Sequence, residues 1–279
     1  MGSTGDFKHM TIEAFFYQFP LFRYEEFVTW RESEGLLCTP ATIQKSLHYY
    51  VKSGRLLNIR RGIYAVIPPG ESSNDFIVDP YLLAAKMTTD SVLGYHTALE
   101  LHGVAYSLFN RYTFLTAQKS KPFEFQQQSF QPVTISKTLR DQAMIGVQKI
   151  DRQGVTIVVT TPARTFVDVI DRVNLSGDWE EVVRSISKMV VLDIDEVIRY
   201  CLLLNNKTLA AKVGFFLEQR QGAFAVDEKT LQPLLALLPA KPQYIGDTQQ
   251  GSCKLVKKWN LMIPSSVINQ SWEEPTYDV

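Results

Sequence analysis

The stretch TPATIQKSLHYYVKSGRLLNIRRGIYAVI, residues 39–67, places a helical pattern directly before a hairpin pattern. Thr39 can cap the helix, Pro40 suits its first position, and Gly54 can end it. The runs RLLNI and IYAVI that follow are rich in β-prone residues and are joined by RRG, a turn signal. The stretch therefore predicts one helix followed by a two-stranded hairpin.

Two more helices are expected before this stretch. TIEAFFYQF is apolar and ends at Pro20, and YEEFVTWRESEG begins with acids and ends at Gly35. Three short helices followed by a two-stranded ribbon form the winged helix-turn-helix pattern, which we predict for residues 10–67. Aromatic residues crowd the first two helices, and we expect them to form a small core against Ile43, Leu47 and the hairpin, with a protein interface as the alternative for one or two of them. They are Phe15, Phe16, Tyr17, Phe19, Phe22, Phe27 and Trp30.

The remaining chain predicts a larger second domain. Residues 68–80, PPGESSNDFIVDP, are rich in proline, glycine and polar residues and are taken as a linker. Residues 81–279 combine short helices, β-rich pieces over 111–160 and helical patterns from Thr161 onward. The predicted fold class is therefore α+β, with a winged helix-turn-helix followed by a mixed α+β domain whose C-terminal half is helical. Residues 1–9, MGSTGDFKH, are typical of a vector leader and are excluded from fold reasoning.

Composition narrows the possible partners and locations. The 279 residues include 29 basic and 29 acidic side chains, so a polyanion would have to be met by a local patch. The three cysteines are far apart and form no metal spacing and no disulfide framework, which favours a cytoplasmic protein. No uncharged apolar run reaches the roughly 18 residues of a membrane helix, so no membrane partner is expected.

The helix of residues 40–52 is predicted to have one buried and one basic face. On a helical wheel Ile43, Leu47, Tyr50 and Val51 fall together, and the opposite side carries cations and an aromatic residue. Between residues 40 and 67 there are five Lys or Arg and no Asp or Glu. This charge pattern predicts that the unit binds double-stranded DNA. The predicted DNA-binding residues are Thr42, Lys45, His48, Tyr49, Lys52, Arg55, Arg60 and Arg61.

Each of these residues has an expected role. Lys45 and Lys52 would meet phosphates, and Thr42, His48 and Tyr49 would touch base edges in the major groove. The two arginines of the hairpin turn would reach the backbone or the minor groove beside the helix. Two other interpretations stay open: surface lysines are often only solvated, and winged helices also dock proteins.

The sequence gives weaker evidence for catalytic residues than for DNA-binding residues. His96 and His102 are six residues apart, unlike a metal pair at i and i+4, and we expect structural roles for both. His102, just before Gly103, suits a helix C-terminus as a cation that meets the last carbonyls. Asp168 and Asp171 are expected on a polar helix face, where Arg164 and Asp168 would form an ordinary surface pair.

No catalytic residue, metal site or cofactor is predicted. VDEKT, residues 226–230, is similar to a nuclease carboxylate–lysine element, but a second metal-binding carboxylate has no identifiable position. The prediction is therefore a protein that is not an enzyme. A metal-dependent nuclease, or another defence enzyme that carries its own winged helix, remains the alternative.

Several stretches together resemble the AbiEi family, the antitoxins of type IV toxin–antitoxin systems in phage defence. They are SGRLLNIRRGIYAV, DPYLLAAKM, SVLGYHTALELHG, GVTIVVTTPARTFVDVIDR and LAAKVGFFLE, in this order over about residues 20–265. The resemblance implies an N-terminal winged helix that represses its own operon. It also implies a C-terminal antitoxin domain that neutralises a nucleotidyltransferase-like toxin, for which a stable complex is not required. Because one winged helix makes few contacts, we expect the operator to carry inverted repeats for two copies.

Overall fold

The protein has an α+β fold in the computed structural model, which describes residues 11–36, 38–142, 144–246, 252–270 and 272. The expected fold class is confirmed. The predicted leader, residues 1–9, lies outside the described residues.

The first unit alternates helices and strands. Its elements are α1 (Ile12–Gln18), β1 (Leu21–Arg23), α2 (Tyr24–Ser33), α3 (Pro40–Lys52), β2 (Leu56–Arg60) and β3 (Ile63–Val66). Thr39 caps α3, since its hydroxyl accepts a hydrogen bond from the backbone N–H of Thr42 at 3.3 Å. Strands β2 and β3 pair antiparallel around Arg61 and Gly62, and the glycine has a φ of +80° that this turn requires. The predicted helix and hairpin are both present.

Strand β1 was not expected from the sequence. It pairs antiparallel with β3, with Leu21 opposite Ala65 and Arg23 opposite Ile63, so the strand order is β1-β3-β2. Three residues are too few to show the alternation that marks a strand, and the pairing partner lies about forty residues away. Helix, strand, two helices and a β-hairpin form the winged helix-turn-helix arrangement.

The aromatic core of this unit forms with one exception. Phe15, Phe22 and Phe27 are fully buried and pack with Leu47 and the hairpin residue Leu56. The prediction for Tyr17 is wrong, because its side chain is 91% exposed. Helix α1 buries positions 15 and 16 and half-buries position 19, and position 17 lies on the other side of the same short helix.

The two units share a core. The segment predicted as a linker has no helix or strand before Pro80, yet Val78 within it is buried. Ile59 and Ile63 of the hairpin belong to the same apolar cluster as Phe130 of the second unit. The winged helix therefore packs directly against the rest of the chain.

A mixed six-stranded sheet forms the centre of the second unit, in the order β6-β7-β5-β4-β9-β8. Its strands are β4 (Val92–Leu93), β5 (Arg111–Thr116), β6 (Phe123–Phe125), β7 (Gln128–Thr134), β8 (Val147–Arg152) and β9 (Val155–Thr160). Neighbours β5 and β7 run parallel, as do β4 and β9, and the other pairs are antiparallel. Two short helices precede β5: α4 (Pro80–Lys86) and α5 (His96–Leu101).

The C-terminal half is helical, as predicted. Its helices are α6 (Pro162–Asp171), α7 (Trp179–Ser187), α8 (Ile194–Leu204), α9 (Lys207–Gln219), α10 (Gln221–Phe224), α11 (Glu228–Leu235) and α12 (Ser265–Asn269). A small sheet joins them, formed by β10 (Gln243–Tyr244), β11 (Cys253–Val256) and β12 (Leu261–Pro264) in the order β10-β12-β11. Within the ranges described, no helix has the length and apolar character needed to cross a lipid bilayer.

The expectation for Arg164 and Asp168 is wrong. Arg164 is 1% exposed and Asp168 is 6% exposed, and the guanidinium Nε lies 3.3 Å from a carboxylate oxygen. Tyr200 of α8 covers the pair and donates a hydrogen bond to Asp168 at 2.7 Å. The helical wheel assigns this face of α6 to solvent, but α8 covers it. The two side chains therefore form an interior pair.

Candidate nucleic-acid interface

The outward face of α3 is exposed along its length. Ile43 and Leu47 are 4% and 1% exposed and face the core. Thr42, Lys45, His48, Tyr49 and Lys52 are all exposed. Tyr49 is 66% exposed, and its ring packs edge-on against Tyr50 at 5.4 Å between centroids. The helix thus presents two ammonium groups, an imidazole and a phenol to solvent from one side.

Thr42 has a structural role as well as an exposed position. Its hydroxyl lies 3.0 Å from the hydroxyl of the capping residue Thr39, within hydrogen-bond distance. A hydroxyl has one donor and two acceptor positions, so one of these is used at the start of α3. Thr42 lies in the first turn of α3, at one end of its exposed face.

The two wing arginines have different surroundings. Both are exposed, but the guanidinium of Arg60 lies over the ring of Phe123 in β6, 5.0 Å from its centroid. A ring face attracts a cation, and this contact orients the Arg60 side chain. The sequence offers no signal for this contact, because its two residues are far apart in the chain and belong to different units.

Arg55 is already paired. Its Nη2 lies 2.5 Å from Glu13 Oε2 in α1, and its guanidinium lies 5.7 Å from the ring centroid of Phe16. The hydrogen bond to Glu13 raises the pKa of Arg55 above its ordinary value. The stretch 40–67 contains no acid, but tertiary structure brings one from 42 residues away. Arg55 therefore adds less net charge to this surface than the sequence indicates.

His96 is buried in the second unit between two carboxylates. Its Nε2 lies 3.1 Å from Glu181 Oε1, its Nδ1 lies 3.3 Å from Glu100 Oε1, and its ring stacks on Phe109 at 3.7 Å. Glu181 also accepts hydrogen bonds from the backbone N–H groups of Tyr106 and Ser107. Burial alone would raise the pKa of Glu181, but the hydrogen bonds that it receives from Ser107, His96 and Ser185 lower it. The cluster fixes the backbone between α5 and β5.

His102 occupies the expected position without the expected charge. It caps the C-terminus of α5, but its Nε2 is 2.9 Å from the carbonyl oxygen of Thr160 in β9. Burial lowers the pKa of His102 below its ordinary value of 6.5. The prediction of a cation over the last carbonyls is therefore corrected to a neutral imidazole that joins α5 to the sheet.

The VDEKT stretch begins a helix. The carboxylate of Asp227 accepts hydrogen bonds from the backbone N–H and the hydroxyl of Thr230, at 2.7 Å and 2.6 Å, and so caps α11. Across the part of the chain that the structure describes, no group of three or more His, Cys, Asp or Glu is arranged to hold a metal ion.

Comparisons with known proteins inform the fold alone. No protein-family model matches this chain, and no curated protein matches it. The chain is similar to the crystal structure of the Rv2827c protein from Mycobacterium tuberculosis, with a TM-score of 0.58 at 17% sequence identity. The match covers 91% of this chain and 90% of that chain, so it includes most of both units.

Proposed function

We propose that this protein is a DNA-binding repressor and antitoxin that acts in the cytoplasm and regulates its own toxin–antitoxin operon. The observation that carries the proposal is the exposed face of α3 beside the wing tip. The two together carry Lys45, Lys52, Arg60 and Arg61, and no acid lies between residues 40 and 67. A cationic helix face beside a cationic turn suits the negatively charged DNA backbone.

Each part has a task in this proposal. Helix α3 enters the major groove, which is wide enough to admit a helix. Lys45 and Lys52 contact phosphates, and His48 and Tyr49 read base edges. The wing arginines contact the backbone or a narrow minor groove, which attracts arginine. Two copies bind an inverted repeat, since one such unit makes few contacts.

The DNA-binding part is tested by a mobility-shift experiment with the DNA upstream of the protein's own gene. Wild-type protein is expected to shift this DNA, and Lys45→Ala/Lys52→Ala to weaken the shift. The absence of any shift by the wild type would refute DNA binding and favour a winged helix that docks proteins. Cleavage of the DNA in Mg²⁺ or Mn²⁺ would instead identify the nuclease alternative.

The antitoxin part rests on the AbiEi resemblance, and residues 81–279 are its proposed location. The partner is a nucleotidyltransferase-like toxin encoded beside this gene, and neutralisation does not require a stable complex. Expression of the neighbouring gene alone is expected to stop growth, and co-expression of the full chain to restore it. Growth arrest that persists with the full chain present would refute the antitoxin role.

A further inference from the structure

The wing tip lies against a loop of the second unit. Arg60 covers Phe123, which is the first residue of β6. The loop that leads into β6, residues 117–122, therefore lies beside the wing. This juxtaposition places a part of the second unit next to the proposed DNA-binding surface.

This loop is basic. It carries Lys119 and Lys121, both exposed, and has no acid between residues 117 and 123. Two residues of extended chain span about 7 Å, so Lys121 lies within one side-chain length of the ring under Arg60. Exposed cations of the second unit therefore lie next to the arginines of the wing.

Two acidic residues, Glu124 and Asp90, lie near this loop. Glu124 follows Phe123 in β6, where successive side chains point to opposite faces of the sheet. Asp90 accepts hydrogen bonds from the backbone N–H of Ala117 and the hydroxyl of Thr116, at 2.7 Å and 2.6 Å. Its carboxylate accepts these two hydrogen bonds and holds the start of the loop in place.

The loop and α3 keep a fixed relation because the two units pack together. Ile59 and Ile63 are buried in the cluster that includes Phe130. At the other end of the junction, Arg23 Nη1 donates to the carbonyl oxygen of Lys86 at 2.9 Å, and Lys86 pairs with Glu26. A duplex that contacts the wing would therefore meet the loop without any rearrangement of the protein.

We propose that the β5–β6 loop is a second contact of this protein with DNA, in which Lys119 and Lys121 bind backbone phosphates next to those met by the wing. The inference rests on the proposed DNA-binding function. Phosphates recur about every 3.4 Å of axis on each strand, so a surface from α3 to Lys121 passes several of them. Phosphate contacts position a protein without reading sequence, so the loop adds affinity and not discrimination.

The test compares four full-length proteins on a random-sequence duplex, with the association constant measured between 50 and 200 mM salt. They are the wild type, Lys119→Ala/Lys121→Ala, Arg60→Ala/Arg61→Ala, and the control Lys207→Ala/Lys229→Ala. The control removes two exposed lysines from α9 and α11. Two lost phosphate contacts are expected to lower the slope of log K against log salt by about 1.8, and affinity by at least about tenfold at 0.1 M.

The outcomes separate this inference from the proposed function. If the loop variant keeps the slope of the control while the wing variant loses slope, the loop is outside the interface and DNA binding stands. If the wild type binds no duplex at any salt concentration, both proposals fail. Lys119→Glu/Lys121→Glu is a second test variant. Reversal of the charge should weaken DNA binding further than alanine does.

Discussion

Trp259 lies on Gly214 so closely that a Cβ at position 214 would come within 2.1 Å of the indole ring. The tryptophan is fully buried, and its Nε1 donates to Glu218 Oε2 at 2.7 Å. The ring can therefore neither swing outward nor slide along α9 without losing this hydrogen bond. Helix α9 and the small C-terminal sheet depend on a glycine at this one contact.

Gly214→Ala is expected to destabilise the protein. Overpacking of a filled interior costs about 1–3 kcal/mol, which lowers Tm by several degrees in a chain of this size. Gly222→Ala is the control, because no atom lies within 4 Å of the added Cβ and alanine suits the helix α10. Thermal unfolding should give a lower Tm for Gly214→Ala than for Gly222→Ala. An equal Tm for the two variants would contradict the close contact.

Asp168→Asn is expected to lower the free energy of unfolding by about 3–5 kcal/mol, because it removes the negative charge from a buried ion pair. Glu180→Gln is the matched control. Glu180 and Arg184 have the same i, i+4 spacing at 2.8 Å, but each side chain is 35% exposed. An exposed pair contributes about 0–1 kcal/mol. Urea unfolding should separate the two variants by more than about 2 kcal/mol, and a smaller difference would place the Asp168 pair in contact with water.

The half-buried His102 is expected to make stability depend on pH. Burial lowers its pKa below 6.5, so the unfolded chain takes up a proton near that pH and the folded chain does not. The free energy of unfolding should therefore fall as the pH drops below about 6.5. His102→Gln should lose this part of the dependence in urea unfolding at pH 5.5 and 7.5. The exposed His48→Gln controls for the loss of one imidazole, and an identical response of both variants would exclude burial as the cause.

Phe123→Leu is expected to weaken DNA binding although Phe123 itself need not touch DNA. The ring orients Arg60, and an exposed cation–π contact is worth about 0.5–1 kcal/mol, or roughly a two- to fivefold change in affinity. Phe125→Leu removes the next aromatic residue of β6, which is half-buried in the same cluster. Titration of a labelled duplex should show a loss of affinity for Phe123→Leu only. Equal affinities for the two variants would mean that the ring does not orient Arg60.

His48→Ala and Tyr49→Ala are expected to reduce the preference for operator over random DNA. A good base contact contributes about 1–3 kcal/mol of discrimination, so the ratio of the two affinities should fall about tenfold. Gln18→Ala, an exposed polar position in α1, is the control. If affinity for both duplexes falls equally, the two side chains do not read bases.

Local signals sufficed to predict the helix caps, the turn of the hairpin and the two faces of α3. The cap at Thr39 and the glycines at 54 and 62 are encoded within a few residues of the structure they form. The same holds for the exposed and buried faces of α3, because helical geometry alone decides them.

Contacts between distant segments were not predictable in this way. Arg55 meets Glu13, Arg60 meets Phe123, and Tyr200 closes over the Asp168 pair. Each depends on which elements pack together, and a helical wheel or a charge count along the chain does not include that information. The exposed and buried faces of α3 were therefore predicted correctly, while the partners of Arg55 and Arg60 were not.

The continuous cluster that joins the hairpin to the central sheet has an evolutionary consequence. Ile59 and Ile63 would face water in any chain that carried the winged helix without its partner unit. Recombination that exchanged this unit for an unrelated one would have to supply a matching apolar surface as well. A change in the surface chemistry of this unit is therefore more accessible by substitutions on the exposed face of α3 than by transfer of the whole winged helix.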